Sequence, residues 1–422
     1  MNNKHGLLKK NKVELLSPAG SFDSLQAAIN AGADAVYFGV EQLNMRAKSV
    51  NSFSVDDIEQ IACLCRANNI KAYLTLNTVI YGHDLQLLHG ILNEVKKQGI
   101  DAVIASDFAV IVQCSQMGIP LHISTQANVS NIEAVQFFSR FSDVIVLARE
   151  LTLTQVQDIC KEVKRRDIKG VSGELIKIEV FIHGALCMAV SGKCYLSLHT
   201  QNSSANRGAC TQNCRRPYLV KEVETDEELL IDNEYIMSPK DLCTISVLDQ
   251  VINCGVDVLK IEGRSKGADY VYTTTQCYHE AIRAIESDNY TAEKIDDWLQ
   301  RLSTVYNRGF WEGYYLGHKL GEWTSQPGSA ATEKKIFIGK GSNYYPKIGV
   351  AEFTIETGSI KPGDTLMITG PLCGMVKEKA EKLVINGIEG NEAVKGDKIT
   401  LRFGTKVGGH DKLYKIVEAA NG

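Results

Sequence analysis

The first 265 residues repeat one pattern, in which a short continuous apolar run is followed by an amphipathic segment. The eight runs lie at residues 13–16, 35–39, 71–76, 102–105, 121–124, 144–148, 178–182 and 256–261. Continuous apolar runs are typical of parallel strands covered on both faces. Eight such strands predict the α/β class and a (β/α)8 TIM-like barrel over residues 13–316. An open doubly wound sheet is the alternative, but residues 17–20 (SPAG) do not match its dinucleotide-binding fingerprint.

Three of the predicted strands are preceded by the same short sequence motif. A glycine, a second residue and an aspartate stand at residues 32–34, 99–101 and 255–257. The glycine is expected to end a helix, and the aspartate to form the turn into the next strand. The motif therefore indicates that the same type of helix-to-strand connection recurs around the barrel.

The pattern changes beyond residue 332, where helical periodicity stops. Short β-rich runs follow at residues 335–339, 347–355, 365–369, 382–385 and 398–403, with turn sequences between them. We predict a small C-terminal β-barrel over residues 333–422 and a linker at residues 317–332. A basic tail is expected at residues 1–12.

The net charge and the hydropathy of the sequence argue against some classes of partner and some cellular locations. The 46 basic and 50 acidic residues give a net charge of −4, which argues against a polyanion binder held by bulk charge. There is no apolar stretch of about 18 residues to cross a membrane, and residues 1–12 lack the apolar segment of a secretory signal. We therefore expect a cytoplasmic protein without a membrane partner, whose 12 cysteines are not paired as disulfides.

Polar side chains gather where the predicted strands end, the face on which TIM barrels carry their chemistry. Helix capping does not explain Arg149, His183 and Arg264, which we interpret as catalytic residues together with Glu262. The guanidinium group of each arginine can donate two parallel hydrogen bonds to a carboxylate. The alternative for each is an ion pair, with Glu150 and with Glu262 respectively.

Lys260 belongs to the same catalytic set, because its side chain is expected to point into the barrel. A buried lysine is costly unless it is paired. It is therefore either functional or bonded to a carboxylate at the rim.

A cysteine-rich insertion interrupts the pattern after the seventh predicted strand. Cys187, Cys194, Cys210 and Cys214 fall within 28 residues of one another, beside the predicted functional rim. Thiolates in such a group favour an iron–sulfur cluster, with zinc or no metal as alternatives. Cys243 is a rival fourth ligand. The remaining cysteines on helical patterns are predicted to be core residues; they are Cys63, Cys65, Cys160, Cys254 and Cys277.

Several of these segments resemble peptidase family U32, the collagenase-like proteases. They are residues 15–20 (LLSPAG), 32–37 (GADAVY), 122–128 (HISTQAN), 148–151 (AREL), 179–187 (EVFIHGALC), 191–197 (SGKCYLS) and 259–264 (LKIEGR). The resemblance spans about residues 13–320 and is most specific in the cysteine segment. It is strongest to the family members that modify RNA.

The resemblance implies a cofactor and a reaction. Cys187, Cys194, Cys210 and Cys214 would hold a [4Fe–4S] cluster, and tRNA would be hydroxylated at the wobble uridine to give 5-hydroxyuridine. Prephenate is the small carboxylate co-substrate that it implies, and an accessory protein subunit is a further expected partner. The C-terminal region resembles the β-barrels of translation factors, which also suggests an RNA-handling module.

Two other functions stay open at this point. A collagenase-like peptidase needs an activated nucleophile, and the sequence offers only His183 with Cys187, without an H-E-x-x-H or G-x-S-x-G motif. A cysteine that binds a cluster is not a free nucleophile. An oxygen-independent hydroxylase of another substrate, ribosomal RNA or a quinone precursor, is the second alternative. For RNA, stacking and cationic contacts are predicted near the cysteines, from Tyr195, Arg207, Arg215, Arg216 and Tyr218.

Overall fold

The computed structural model describes residues 12–46, 52–218, 235, 237–318, 321–326, 328–403 and 406–419. Most of the predicted N-terminal tail lies outside the described residues, as do parts of the predicted linker. None of the helices in the described part of the chain combines the length and the hydropathy needed to span a lipid bilayer.

Ten strands form the first sheet. They are β1 (Glu14–Pro18), β2 (Ala35–Phe38), β3 (Lys71–Leu76), β4 (Ala102–Ala105), β5 (Leu121–Ile123), β6 (Val144–Val146), β7 (Lys177–Ala185), β8 (Asp241–Cys243), β9 (Val258–Ile261) and β10 (Phe310–Trp311). Strands β1 to β7 pair in parallel in chain order, and β9 pairs in parallel with both β7 and β1. The eight parallel strands therefore close into the predicted barrel, and the open sheet is excluded.

Most of the helices cover the outside of the barrel or extend from its last strand, and one short helix lies in the cysteine-rich insertion. They are α1 (Phe22–Asn30), α2 (Asp57–Ala67), α3 (Leu85–Gln98), α4 (Phe108–Met117), α5 (Ile132–Phe138), α6 (Leu153–Arg165), α7 (Leu196–Gln201), α8 (Leu248–Asn253), α9 (Ala268–Glu286) and α10 (Ala292–Thr304). Helix α3 ends at Gly99, whose left-handed backbone (φ 66°) is readily adopted by glycine. One large apolar core lies between these helices and the barrel.

The repeated glycine–aspartate motif has a physical role at the bottom of the barrel. Asp34, Asp101 and Asp257 each accept a hydrogen bond from a backbone N–H at the start of the neighbouring strand, at 2.8 to 3.0 Å. These N–H groups lie at the edge of the sheet, where a buried unpaired donor would be costly. The aspartates thus satisfy the N–H groups of the second residues of β1, β3 and β7.

The cysteine-rich insertion follows β7, which continues beyond the barrel rim. The last three residues of β7 pair with β8 in antiparallel fashion, His183 opposite Cys243, and β10 adds to the outer edge of β8. The sequence pattern did not predict β8, because three residues are too few to show a periodicity. The returning strand fixes both ends of the insertion above the mouth of the barrel.

The C-terminal region forms an antiparallel β module with its own apolar core. Its strands are β11 (Glu333–Tyr345), β12 (Val350–Ile355), β13 (Ser359–Ile360), β14 (Thr365–Gly370), β15 (Gly374–Lys379), β16 (Leu383–Ile385), β17 (Ile388–Gly390), β18 (Ala393–Val394), β19 (Lys398–Arg402) and β20 (Lys412–Glu418). Eight of them form one sheet in the order β15-β14-β20-β11-β12-β19-β16-β17, and β13 pairs with β18. Each of the five predicted runs overlaps one of these strands.

The β module packs on the barrel through β14 and β15, which contact α1, and through β15, which also contacts α9. Met367 and Met375 of the module belong to the apolar core of the barrel. The Asn30 side chain donates to the carbonyl of Cys373 at 2.9 Å, and Lys335 pairs with Asp269 at 2.6 Å. The two regions therefore share an apolar and hydrogen-bonded junction.

Replacing Gly374 tests this junction. Gly374 has a φ of 68°, and a Cβ there would meet the backbone of Ala27 in α1 at 2.6 Å. We expect Gly374→Ala to cost about 1–2 kcal/mol for the left-handed backbone and about 1–3 kcal/mol more for the clash. Denaturant unfolding measures the loss.

Gly387→Ala is the matched control. Gly387 also has a positive φ of 88°, but its Cβ would meet nothing within 4 Å. It should therefore lose only the backbone contribution. Equal losses of stability in the two variants would contradict the packing of β15 against α1.

Candidate functional site

A cavity opens at the carboxyl ends of the barrel strands, beneath the insertion. All four clustered cysteines line it, with basic side chains from the strand ends and the insertion. These basic residues are Arg46, Arg149, Arg215, Lys260, Arg264 and Arg308. Glu262 also lines the cavity. An opening with this charge favours an anionic ligand.

The four thiols approach the cavity from different turns of the insertion. Cys187 and Cys210 are exposed, and Cys194 and Cys214 are half-buried. Burial raises the pKa of the Cys214 thiol; Arg215 lowers it, and Coulombic interaction with the other three cysteines raises it further. The thiols are therefore close enough to repel one another as thiolates, a repulsion that a bound cation would relieve.

The donor types of this set are those that an iron–sulfur cluster uses. Within the described ranges, no three His, Cys, Asp or Glu side chains are grouped closely enough to hold one metal ion. A [4Fe–4S] cluster takes four thiolates. The four thiols facing one cavity match that donor set.

Cys243, the rival ligand, does not line the cavity. It is buried in β8, where burial raises the pKa of its thiol to about 11 and the Tyr278 hydroxyl lies 3.8 Å from its sulfur. Of the cysteines predicted to be core residues, Cys65, Cys160, Cys254 and Cys277 are buried. Cys63 is exposed on α2, so that prediction was wrong: the apolar face of the helix is formed by its neighbours.

Arg215 connects the two ends of the insertion. Its guanidinium donates to the carbonyl of Leu186 at 2.6 Å, where the insertion begins. It also donates to the carbonyl of Pro239 at 2.6 Å and to the Ser238 hydroxyl at 3.0 Å, where the insertion returns. These bonds fix the backbone next to Cys214 at the wall of the cavity.

Glu262 is held by charge at the rim of the barrel. Its carboxylate accepts from Arg46 at 2.9 Å and from the Tyr37 hydroxyl at 3.1 Å. Burial would raise the pKa of Glu262, but Arg46 and Arg264 outweigh burial and lower the pKa to about 2. Glu262 is therefore an ionised organising group at neutral pH.

Neither predicted ion pair of the two site arginines is formed. The Arg149 guanidinium donates to the Ser191 hydroxyl at 2.8 and 3.2 Å and to the carbonyl of Ala185 at 3.2 Å, whereas Glu150 points into solvent. Arg264 donates to Thr75 and to Asn44, and Arg46 takes its place on Glu262. The Nε of Arg264 is buried without a hydrogen-bond partner among the described residues.

Lys260 projects into the barrel, as predicted, and it is paired. Its ammonium lies 2.7 Å from Glu179 Oε1, and both side chains are buried. The Tyr37 ring lies 4.5 Å from the ammonium on another side. The carboxylate partner is therefore inside the barrel rather than at the rim.

His183 does not reach the cavity, which corrects its assignment as a catalytic residue. The β7–β9 pairing shifts register between Phe181 and His183, and this bulge turns the imidazole away from the face on which Phe181 lies. The imidazole packs instead beside Tyr270, Tyr278 and Phe310. Burial lowers its pKa to about 3, so it is neutral and cannot supply a proton at neutral pH.

The predicted RNA contacts divide into two groups. Tyr195 is 68% exposed and Arg216 is exposed near the cavity mouth. Arg207 is paired with Asp84 and lies over the Tyr81 ring, and the Tyr218 hydroxyl donates to a backbone carbonyl at 2.7 Å. Together with Arg215, these two residues stabilise the insertion itself.

Sequence reasoning missed Glu179, Tyr37 and Ser191 as parts of the site. Glu179 carried a signal, because it is a carboxylate within an otherwise apolar run of β7. Tyr37 and Ser191 gave none, since a tyrosine in a buried strand and a serine in a loop are ordinary.

The low pKa of Glu262 predicts an acid-dependent contribution to stability. The carboxylate is stabilised by its partners above the pKa of about 4 of an unfolded glutamate, and this contribution is lost as the pH falls through about 2. We expect Glu262→Gln to lower the unfolding free energy at pH 7 by about 3 kcal/mol. The deficit should shrink as the pH falls below about 4.

Urea unfolding at several pH values measures this deficit. Glu150→Gln is the control, because the Glu150 carboxylate is exposed. A deficit for Glu262→Gln that is constant with pH would contradict the assigned charge of the site.

Comparison with known proteins places the chain in a family. The model of peptidase family U32 matches residues 20–325. A protein named collagenase from Porphyromonas gingivalis (strain W83) is 51% identical over 406 residues, covering 96% of this chain and 98% of that protein. The tRNA hydroxylation protein P1 of Bacillus subtilis is 33% identical over 380 residues, covering 88% and 86%.

A third relative differs more in length. The 23S rRNA 5-hydroxycytidine C2501 synthase of Escherichia coli is 35% identical over 283 residues, covering 66% of this chain and 40% of that enzyme. The family model and the first two relatives extend over both the barrel and the cysteine-rich insertion. The chain belongs to peptidase family U32.

Proposed function

We propose that this chain is an RNA-modifying enzyme that hydroxylates the wobble uridine of tRNA to 5-hydroxyuridine. Its cofactor is a [4Fe–4S] cluster on Cys187, Cys194, Cys210 and Cys214. Prephenate is the carboxylate co-substrate, and an accessory protein subunit is a further proposed partner. Relatives named for tRNA and rRNA hydroxylation support the reaction class.

One observation carries the proposal: four thiols and a group of arginines face the same cavity. A [4Fe–4S] cluster supplies one-electron transfer when it is bound. The arginines form the wall on which an anionic co-substrate would bind next to the cysteines. Redox chemistry and anion binding then share one site.

The basic side chains have separate parts in binding. Arg264 lines the cavity, and its guanidinium cation suits a carboxylate. Arg149 is fixed by Ser191 and by the carbonyl of Ala185, and three of its five N–H groups are used there. Its remaining N–H groups are available to the same anion. Glu262 holds Arg46 beside it.

RNA would approach over the insertion. A wobble base lies in a single-stranded loop, and such bases are bound by stacking on aromatic rings and by cationic contacts. The exposed Tyr195 ring and the exposed Arg216 and Lys193 side chains are suited to that role. The β module, packed against α1 and α9, is a further surface for the body of the RNA.

A peptidase is the second candidate, because the relative that is 51% identical is named collagenase. The proposed Cys187 nucleophile lacks its base, since His183 is buried in another direction and its pKa is lowered to about 3. Gelatin cleavage by purified protein, with a chelator control, tests this function directly. Cleavage that copurifies with the chain and is lost in Cys187→Ser would favour the peptidase.

Nucleoside analysis of tRNA tests the reaction. In a strain lacking this gene, 5-hydroxyuridine derivatives should fall at least tenfold, a loss that the wild-type gene restores but Arg264→Leu does not. Arg264→Leu removes the guanidinium cation. Unchanged tRNA nucleosides would contradict the proposal. A change confined to ribosomal RNA or to quinones would assign the chain to another hydroxylation.

Cysteine substitutions test the cofactor. Anaerobically prepared protein should be brown and contain about four irons per chain. Alanine at any one of Cys187, Cys194, Cys210 or Cys214 should remove most of the iron and the tRNA modification together, because one iron loses its protein ligand. Iron content and absorbance measure the loss.

Cys243→Ala and Cys63→Ala are the controls, one buried and one exposed, and both should keep the iron. Loss of iron in Cys243→Ala but not in Cys214→Ala would contradict the ligand assignment and leave the cofactor standing. Colourless protein that contains zinc and takes up no iron would contradict the cofactor.

A further inference from the structure

A fully buried ion pair lies beneath the cavity. Lys260 on β9 and Glu179 on β7 are 2.7 Å apart, with side-chain exposures of 5% and 0%. Lys260 lines the cavity, whereas Glu179 does not. The ammonium thus forms part of the cavity floor, and the carboxylate supports it from the closed side.

The strand register explains why Lys260 lies nearer to the cavity than Glu179 does. Phe181 lies opposite Lys260, and Glu179 lies opposite Val258, two residues deeper in the barrel. Side chains two residues apart along a strand share a face. Glu262, Lys260 and Glu179 therefore occupy successive levels, from the rim of the barrel toward its centre.

Stability does not account for such a pair. The interior of a TIM barrel is usually filled by branched apolar residues. Replacing a buried ion pair with apolar residues of similar volume is often neutral or stabilising. Glu179 also has one carboxylate oxygen without a hydrogen-bond partner among the described residues. The pair therefore needs a reason other than packing.

We propose that Glu179 is a positioning residue, whose carboxyl group holds the Lys260 side chain at the cavity floor so that its amine binds an anionic group of the ligand. This inference rests on the proposed function, in which a carboxylate co-substrate occupies the cavity. It adds a binding group at the floor to the arginines of the wall. A dicarboxylate can contact both.

Several other titratable and charged groups face Lys260. They are Tyr37 on β2, His122 on β5, Arg149 across the Phe181 ring, and Glu262 and Arg264 just beyond β9. Burial lowers the pKa of His122 to about 3, and burial raises that of Tyr37 well above its ordinary value, so both are neutral. Glu262 is already held by Arg46. Glu179 is the acid in direct contact with the Lys260 amine; burial raises the pKa of Glu179, and Lys260 opposes that rise.

Calorimetric titration of the full, cluster-containing chain tests the inference. The probes are prephenate, malonate and inorganic phosphate, each titrated between about pH 6 and pH 9. The variants are Glu179→Gln, Lys260→Met and the double variant. Glu14→Gln is the control, because Glu14 is another carboxylate paired with a lysine, Lys71 at 2.6 Å, but at the opposite end of the barrel.

Each variant is compared with the wild type at the same pH, because inorganic phosphate changes its charge in this range and because burial lowers the pKa of Lys266, near Arg46 and Glu262, to about 7. Lys260→Met should weaken binding by roughly tenfold or more at every pH, the loss expected for one charged hydrogen bond. Glu179→Gln should also weaken binding, because the Lys260 amine is no longer held in its place at the floor. In the Lys260→Met background, Glu179→Gln should have no further effect. Glu14→Gln should bind as the wild type does.

Three results would overturn the inference. The first is a Glu179→Gln affinity that follows the wild type at every pH, and the second is an equal effect of Glu179→Gln with and without Lys260. The third is a wild-type protein that binds none of the three anions. Binding of malonate or phosphate without prephenate would instead refute the proposed co-substrate, and the same variants then test the inference with the anion that binds.

The double variant Glu179→Leu/Lys260→Met is the control for the case in which Glu179→Gln misfolds. It replaces the ion pair with apolar side chains and should remain folded even where Glu179→Gln does not. Its anion affinity should equal that of Lys260→Met. A folded double variant with wild-type affinity would also overturn the inference.

Discussion

The pairing of β9 with both β7 and β1 is the contact on which the rest of the molecule depends. It closes the barrel, brings Glu262 and Arg264 to the rim, and points Lys260 inward. Because β9 is held on both edges, its side chains have little freedom to change direction. The directions of Lys260, and of Arg264 just beyond the strand, are therefore set by the backbone pairing of β9.

The charged side chains and their partners differ between the rim, the interior and the bottom of the barrel. Near the rim, Glu262 is surrounded by Arg46 and Arg264, so the cationic side dominates and the carboxylate stays ionised. Deeper in the barrel, one lysine meets one glutamate. At the bottom, aspartates are occupied by backbone N–H groups of neighbouring strands. The excess positive charge is thus concentrated at the end that carries the cysteines.

Much of the architecture could be predicted from the sequence, because continuous apolar runs and glycine–aspartate turns are local signals. All eight predicted barrel runs correspond to strands, and the open cavity lies at the predicted rim. The side-chain partners could not be predicted. A bulge in β7 turns the His183 side chain away from the cavity. Glu262 pairs with Arg46 rather than with Arg264. Cys63 lies on an exposed part of α2. Each depends on a register or a distant contact that a local pattern does not encode.

Arg215 has a thermodynamic consequence for the cysteines. By joining the carbonyls of Leu186 and Pro239, it ties the beginning of the insertion to its end, as the antiparallel contact of β7 and β8 also does. The entropy of closing this long loop is therefore lost when the barrel folds. A group bound by the thiols would not have to supply that entropy, so more of its binding free energy would appear as affinity.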